Sequence, residues 1–279
     1  MPEQNAPKVS VLMPTYNSAE YMQEAVKSIL TQSYTNFEFL VVDDASADDS
    51  WEILQKMARQ DRRLKIFRQR KNCGVARSRN FLFEHISPAS EFIAIMDSDD
   101  RSHPERLSRQ VAFLQSRPDL YGVGSSLDII NEAGDLTGHR CYECSAQKIL
   151  SSSIAANPFA HPSLLFRRSL LERVGQYDES FRSCEDYDFI MRVLEHHLMA
   201  NLPERLLQYR ISAKQWKQTH LKDSLRSTLA IQRRYLFQKR FFSPFGLLRH
   251  AANYPLLLLP SAWVMRLFVL LTYQGLDND

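Results

Sequence analysis

The stretch Glu91-Phe-Ile-Ala-Ile-Met-Asp-Ser-Asp-Asp100 decides how the rest of the chain is interpreted. Its apolar run, Phe92 to Met96, is typical of a buried parallel strand and stops at three closely spaced carboxylates. Such carboxylates repel one another unless a cation lies between them. Ligands bind at the carboxyl ends of the strands in open α/β sheets. Mg²⁺ and Mn²⁺ favour oxygen ligands, so the stretch predicts a metal–diphosphate site, with an ordinary solvated turn as the alternative.

The first hundred residues alternate between strand and helix patterns. We predict strands at 9–13, 37–42, 64–68 and 92–96, and helices at 18–30, 48–57 and 75–85. The alternation predicts a mostly parallel, doubly wound α/β sheet with right-handed crossovers. The first turn contains no glycine and the chain has no Walker-type glycine loop, which argues against a dinucleotide site and a P-loop. A phosphatase with an aspartyl nucleophile would have its acidic cluster at the first strand. The cluster of this chain lies elsewhere, which argues against that class of enzyme.

The middle of the chain is less regular. We predict a helix at 104–115, a hairpin from 121–130 and 137–142, a loop at 156–166 that runs into a strand, and a short helix at 167–174. A second acidic segment, 177–189, opens the next helix. Acids are favoured in a first helical turn by the helix dipole, and this is our interpretation of Asp188.

Composition limits the classes of function. With 279 residues and 44% apolar side chains, the chain can form one large domain, or one domain with an appendage. A net charge of +3 is too small to indicate a nucleic-acid partner. The Cys141-x-x-Cys144 pair has no companion pair at zinc spacing, so we expect reduced thiols and a cytoplasmic protein. The short polar start, 1–8, is not expected to be a signal peptide.

Six motifs occur in order along the chain: Pro14-Thr-Tyr-Asn17, Val41-Val-Asp-Asp-Ala-Ser46, Asn72-Cys-Gly-Val-Ala-Arg-Ser-Arg-Asn80, Asp97-Ser-Asp-Asp100, His161-Pro-Ser163 and Cys184-Glu-Asp186. Together they resemble the inverting glycosyltransferases of family 2, which have the GT-A fold. The resemblance covers residues 8–210. It implies transfer of a sugar from a nucleotide-diphosphate sugar, a UDP-sugar, to a glycan or lipid-linked acceptor, with inversion, in surface polysaccharide biosynthesis.

The resemblance also implies roles for single residues in donor binding. Asp44 would accept the imide N–H of uracil, since a carboxylate only accepts hydrogen bonds. Asp99 would hold a ribose hydroxyl. The other expected donor contacts are Tyr16 against the base, Pro14 shaping its pocket, and Arg79, with Arg77, on the phosphates. A solvated helix face is the alternative for both arginines.

The chemistry would need a metal and a base. Asp100, together with Asp97, would ligate Mn²⁺ or Mg²⁺, which would neutralise the leaving diphosphate. Asp186 would act as the single base that an inverting transfer needs, and Glu185 would orient the acceptor or a neighbouring group. His161 is a second candidate for acceptor contact, although a histidine before proline in an apolar loop is more often structural.

Two other functions compete with this prediction. A sugar nucleotidyltransferase has the same fold, but it would want a first loop rich in Gly and Arg, which the chain lacks. A catalytically silent nucleotide-sugar-binding or scaffold protein is opposed by the joint presence of Asp44, Asp99, Asp100 and Asp186. The Q-x-x-R-W signature of processive synthases is absent, and we therefore expect a single sugar addition.

The C-terminal third is basic and then apolar. Residues 205–250 contain eleven Lys or Arg and one acid, Asp223, and show helical periodicity; the apolar run 254–273 is interrupted by Pro255, Pro260 and Arg266. We predict a catalytic domain at 1–210 and a helical extension at 211–279 that lies peripherally on the inner face of the cell membrane. A helix pair packed on the domain, or a dimer contact, is the alternative.

Overall fold

The computed structural model describes residues 6–181, 183–212, 221–261 and 263–264. Its strands are β1 (Lys8–Thr15), β2 (Phe37–Asp43), β3 (Leu64–Arg68), β4 (Ser90–Ile95), β5 (Arg101–Ser102), β6 (Leu120–Ile130), β7 (Leu136–Arg140), β8 (Leu165–Arg167) and β9 (Leu198–Arg210). Its helices are α1 (Met22–Leu30), α2 (Ser50–Ala58), α3 (Val75–Phe83), α4 (Arg106–Ser116), α5 (Ala146–Ser152), α6 (Ser169–Val174), α7 (Glu185–His196), α8 (Leu221–Tyr235) and α9 (Pro244–Asn253). Two short 3₁₀ helices cover His161–Ser163 and Pro255–Leu257.

All the strands belong to one sheet, in the order β3-β2-β1-β4-β8-β6-β9-β5, with β7 beside β6. Strands β1 to β4 run parallel to one another, β8 is antiparallel to β4, and β6 and β9 run parallel as a pair. The predicted mostly parallel α/β sheet is therefore confirmed. Its parallel strands carry the segments that follow β1, β2 and β4 to one common edge.

Helices cover both faces of the sheet, which explains why its central strands are apolar at consecutive positions. On one face, Val11 and Met13 of β1 belong to a core that also contains buried side chains of α1, α2 and α4. On the other face, Leu12 packs in a core with residues of α3, α7 and α8. The neighbouring strand β2 is buried along its whole length.

Strand β9 corrects the prediction of a helical segment that begins at residue 205. Ser125 of β6 pairs with Leu202 and Leu127 pairs with Leu207, so two steps along β6 correspond to five along β9. Two of the extra residues, Pro203 and Glu204, precede Arg205, which pairs with Ser126, and the third, Leu206, follows it. Pro203 cannot donate a ladder hydrogen bond. The extra residues interrupt the alternation of apolar and polar side chains that is expected of a strand. The sequence pattern therefore does not reveal β9. Helix α5 was likewise not predicted.

After residue 220 the helical pattern predicted for residues 205–250 is present, and its helices pack on the preceding part of the chain. The Gln232 amide of α8 donates to the Ile154 carbonyl (2.7 Å), while its Oε1 lies 2.9 Å from Nδ1 of His250 in α9. The division of the chain near residue 210 remains a prediction. Of the apolar run 254–273, residue 262 and residues 265–273 lie outside the described part. No described helix is long and apolar enough to cross a bilayer.

Burial in the sheet leads to a stability prediction. Phe39, at the centre of β2, is fully buried, and Leu136 of β7 is 46% exposed. We expect Phe39→Ala to lower the free energy of unfolding by about 3–5 kcal/mol, because it leaves a cavity. Leu136→Ala, the matched control, should change it by less than about 0.5 kcal/mol. Urea denaturation measures both, and equal losses would contradict this description of the core.

Candidate functional site

A cleft of about 1500 Å³ opens where β1, β2 and β4 end. One wall consists of the segments that follow these strands, and the other consists of the start of α7 together with side chains of α8. The lining includes nearly every residue to which a role was predicted: Pro14, Tyr16, Asp44, Arg77, Arg79, Asp97, Asp99, His161, Glu185 and Asp186. Asp100 is not in the lining. A smaller cavity, of about 560 Å³, lies near the start of β1 and β2, away from the motifs.

The carboxylate of Asp44 is held in place by backbone. Its Oδ1 accepts the N–H of Cys73 (2.9 Å) and its Oδ2 accepts that of Gly74 (2.8 Å), both in the loop before α3. Burial raises the pKa of Asp44, and these two backbone hydrogen bonds oppose that rise. The Ser78 side chain makes a third hydrogen bond to this carboxylate. Each carboxylate oxygen has two lone pairs, so one acceptor direction remains for a ligand.

Three residues other than glycine adopt positive φ angles in the described chain, and all adjoin this cleft: Asn17 (49°), Ala45 (61°) and Cys184 (65°). Asn17 is held there by reciprocal contacts with the β2 loop, since its N–H donates to Ser46 Oγ and its Oδ1 accepts from Ala47 N–H, both at 2.9 Å. Cys184 turns the chain directly into Glu185, the first residue of α7. Backbone strain of this kind concentrates at functional sites.

The acidic loop after β4 divides its carboxylates between cleft and interior. Asp97 and Asp99 line the cleft, whereas Asp100 is fully buried. Oδ1 of Asp100 accepts the backbone N–H of Arg210 (2.9 Å), and burial raises the pKa of this carboxyl well above its ordinary value. The side chain of Asp100, the expected metal ligand, is therefore buried in the protein interior. Asp97 and Asp99 are the carboxylates of this loop that a ligand in the cleft can contact.

Arg210, which the sequence analysis did not single out, fastens this loop to the rest of the domain. Its buried guanidinium donates to the Asp99 carbonyl (2.8 Å) and to the Glu24 carboxylate (2.8 Å), and it lies 4.3 Å from the Tyr21 ring centre. Arg210 ends β9, the strand that was missed. If β9 had been recognised as a strand, its end at Arg210 would have indicated that this residue lies beside the acidic loop.

A second buried arginine supports the loop from below. Arg106 of α4 donates to the carbonyls of Ile95 (2.8 Å) and Leu164 (3.2 Å), where β4 and β8 separate. Burial lowers the pKa of Arg106 to about 9, while the nearby charges of Asp100 and Asp97 act in the opposite direction. It therefore remains a cation at neutral pH and partly offsets the acidic cluster.

Arg79 connects the acidic loop to the start of α7. From the buried face of α3, its Nη2 donates to Asp97 Oδ1 (2.9 Å) and its Nη1 donates to Glu185 Oε1 (2.7 Å). Burial lowers the pKa of this guanidinium, but the charges of Asp97 and Glu185 outweigh burial and raise it overall. The donor motif and the predicted catalytic pair are thus joined through one cation.

Glu185 and Asp186 differ in their surroundings. Glu185 is buried against Arg79, and burial raises its pKa despite the opposing charge of that arginine. Asp186 lines the cleft and accepts a hydrogen bond from the Asn157 amide (3.1 Å). Asp188, two residues on, is buried and paired with Arg192 and Arg234, and it does not line the cleft, in keeping with the structural role expected for it.

His161 is buried beside the cleft and pairs with Tyr177. Its Nε2 lies 2.8 Å from the Tyr177 hydroxyl, and among the described residues Nδ1 has no hydrogen-bond partner. Burial, and then the charge of Arg79, lower the pKa of His161 well below its ordinary value. The imidazole is therefore neutral at physiological pH, and the hydroxyl contact gives it a structural role on the cleft wall.

The donor atoms of the cleft fit a hard divalent cation. Asp97 and Asp99 supply carboxylate oxygens, the ligands that Mg²⁺ and Mn²⁺ prefer, and such ions take remaining ligands from substrate phosphates and water. Within the described residues, no group of three or more His, Cys, Asp and Glu side chains forms a complete metal cage. Two carboxylates completed by a diphosphate are consistent with both facts.

The shared guanidinium makes a testable prediction. Arg79→Met leaves Glu185 buried without a cation, so we expect it to lower the free energy of unfolding by about 3–5 kcal/mol. Arg77→Met, an exposed site on the same helix, should cost less than about 0.5 kcal/mol. Adding Glu185→Gln to Arg79→Met removes the unpaired charge and should recover most of the loss.

The loss should also depend on pH. The pKa of Glu185 already lies above its ordinary value in the folded protein, and removing the cation raises it further. A raised folded-state pKa means that stability falls as pH rises towards it, so the deficit of Arg79→Met should grow as pH rises above the ordinary glutamate pKa of about 4.3. Urea titrations measure this, and a deficit that does not change with pH would contradict the proposed pairing.

The chain is similar in sequence to known proteins. Residues 10–175 match the family model Glycosyl transferase family 2. The O-antigen biosynthesis glycosyltransferase WbnJ of Escherichia coli is 31% identical over 76% of this chain and 83% of its own length. EpsE of Bacillus subtilis strain 168, to which glycosyltransferase activity is attributed, is 31% identical over 81% of both chains.

Solved structures share the fold. S. aureus TarS in complex with UDP superposes with a TM-score of 0.64 at 23% identity, covering 88% of this chain and 70% of that one. The mannosyltransferase PcManGT of Pyrobaculum calidifontis, solved with GDP-Man and Mn²⁺, gives 0.63 at 20% identity, covering 96% and 81%. These likenesses confirm the GT-A fold. Because the family model matches more than half of the chain, the chain belongs to glycosyl transferase family 2.

Proposed function

We propose that this protein is a metal-dependent, inverting glycosyltransferase that adds one sugar from a UDP-sugar to a glycan or lipid-linked acceptor in surface polysaccharide biosynthesis. The observation that carries the proposal is the bridge made by Arg79, whose guanidinium holds Asp97 at 2.9 Å and Glu185 at 2.7 Å. It brings the acidic donor motif and the Glu185-Asp186 pair into one cleft. The polysaccharide role rests on the relative WbnJ, a glycosyltransferase of O-antigen biosynthesis.

The nucleoside end of the donor is proposed to bind near Asp44. The carboxylate keeps an acceptor direction for an imide N–H, Pro14 borders the same pocket, and Tyr16 is 49% exposed there as a surface for stacking. TarS has been solved with UDP and PcManGT with GDP-Man. Uracil and guanine both offer N–H donors, so the binding assay should compare UDP with GDP.

The metal is proposed to bind at Asp99, with Asp97, and not at Asp100. Asp100 is buried and accepts a hydrogen bond from Arg210, whereas the other two carboxylates line the cleft. When bound, Mn²⁺ or Mg²⁺ would act as a Lewis acid that neutralises the charge of the departing diphosphate. Arg77, exposed on the cleft wall, is a basic side chain available for additional phosphate contact. Arg79 is instead committed to its two carboxylates.

Asp186 is proposed to be the base. It must accept a proton from the attacking acceptor hydroxyl, on the side of the sugar opposite the diphosphate. Asp186 is partly exposed in the cleft, and the Asn157 amide fixes one of its oxygens. Glu185 is held by Arg79 and is proposed to position the start of α7, which carries the base.

The base assignment predicts a loss of turnover without a loss of donor binding. We expect Asp186→Asn to lower kcat by about 10²- to 10⁴-fold, because the amide cannot accept the proton. UDP affinity, measured by calorimetry with Mn²⁺, should be unchanged. Asp178→Asn, in the loop before α7 and outside the cleft lining, is the control and should keep wild-type kcat. Wild-type turnover in Asp186→Asn would refute the base assignment, whereas UDP binding without turnover in the wild type would favour a silent binding protein.

The metal assignment predicts different behaviour for two neighbouring carboxylates. Asp99→Asn should abolish the gain in UDP affinity that Mn²⁺ gives, because it removes a ligand in the cleft. Asp100→Asn should keep that gain and instead change the unfolding free energy, because its side chain is buried on Arg210. Calorimetry with Mn²⁺ and with EDTA measures the first effect and urea denaturation the second. The opposite result for the two variants would restore Asp100 as the ligand.

A further inference from the structure

Helix α9 packs on the protein through small and polar residues and exposes its large apolar side chains. The residues that face the protein are Gly246 and His250, which are buried, while Phe245, Leu247 and Leu248 are exposed. A surface helix normally turns its apolar side to the core. The apolar side of α9 therefore faces away from the rest of the chain.

The inward face of α9 is fixed by specific contacts, so this orientation is well defined. A Cβ added at Gly246 would lie 3.0 Å from Ile154 Cγ2, which leaves no room for a larger side chain. His250 Nδ1 pairs with the buried Gln232 amide at 2.9 Å. Turning the helix to bury its leucines would break this pair and force a bulky side chain against Ile154.

Other exposed apolar side chains lie on the segments next to α9 in sequence. Phe237 is 77% exposed, Leu258 is 87% exposed and Trp263 is 66% exposed, and Phe242 and Tyr254 are also exposed. Scattered single residues of this kind need no explanation, but eight of the eleven large hydrophobic side chains that are exposed in the described chain fall between residues 237 and 263. A concentration of this kind marks an interaction surface.

The charge of the same region indicates the partner. From residue 224 to residue 276 the chain contains no Asp or Glu, yet it contains seven Lys or Arg. Two of these, Arg233 and Lys239, are exposed near the aromatic side chains in sequence. Apolar anchors with basic residues and no acid are complementary to an anionic bilayer surface, where the rings enter the headgroup region and the cations meet lipid phosphates.

We propose that α9 and its flanking residues, 233–258, form a docking surface for an anionic lipid bilayer. The surface adjoins the cleft, since Arg249 and Asn253 of α9 belong to the cleft lining. Docking would therefore hold the cleft mouth close to lipid headgroups. The surface binds lipid whether or not the cleft transfers sugar, so the two proposals fail separately.

Vesicle cosedimentation of the full chain tests this surface. We expect binding to vesicles of equal parts phosphatidylcholine and phosphatidylglycerol, and much weaker binding to phosphatidylcholine alone. The binding should fall as salt rises from about 0.1 M to about 1 M. Phe245→Ser with Leu248→Ser should weaken the partition by at least about tenfold, since both side chains leave the headgroup region. Lys239→Gln should weaken it by about fivefold.

Two controls separate docking from misfolding. Leu136→Ser, at an exposed apolar position on β7, and Lys56→Gln, at an exposed lysine on α2, should bind vesicles as the wild type does. The Phe245/Leu248 variant should keep the wild-type melting temperature and UDP affinity. No vesicle binding by the wild type, or equal binding by this variant, would overturn the proposal. Concentration-dependent dimerisation that the variant abolishes, without lipid binding, would assign the surface to a second copy and also overturn it.

Discussion

The site depends on one buried cation. Arg79 lies within the protein and is shared between a carboxylate of the acidic loop and a carboxylate at the start of α7. A buried guanidinium is costly unless it is paired, and the buried Glu185 carboxylate is costly without it. The three charges are therefore stable only together. This mutual requirement fixes the spacing between two segments that are almost ninety residues apart in sequence, before any substrate binds.

The same requirement explains how the remaining parts of the cleft are arranged. Arg210 and Arg106 hold the acidic loop through its backbone and through neighbouring carbonyl groups, which leaves Asp97 and Asp99 on the cleft side. Asp44 is fixed by two backbone N–H groups and by the Ser78 side chain. These acids are thus oriented by contacts within the protein. Orientation in advance of binding is what positioning and electrostatic stabilisation need.

The sequence predicted the first half of the fold well and the second half unevenly. Strands β1 to β4 are apolar runs that end at polar turns, so local pattern alone locates them. Strand β9 is interrupted by three extra residues, one of which is Pro203. Its position is determined by its pairing with β6, and a local sequence pattern does not reveal such pairing. The sequence motifs contain the nine residues to which the proposed function assigns a role. They could not separate Asp99 from Asp100, because which of two adjacent carboxylates is buried depends on the distant Arg210.

The bulge in β9 has a consequence for how this family can vary. Its extra residues lie between two stretches that pair with β6 independently, so the pairing of Arg210 with Ile130 is set by the second stretch alone. Two of these extra residues, Pro203 and Glu204, are exposed. Chain length at this point is therefore uncoupled from the geometry of the acidic loop. Homologous chains could lose or gain residues there, and so acquire a different outer surface, while the reaction centre remained as it is.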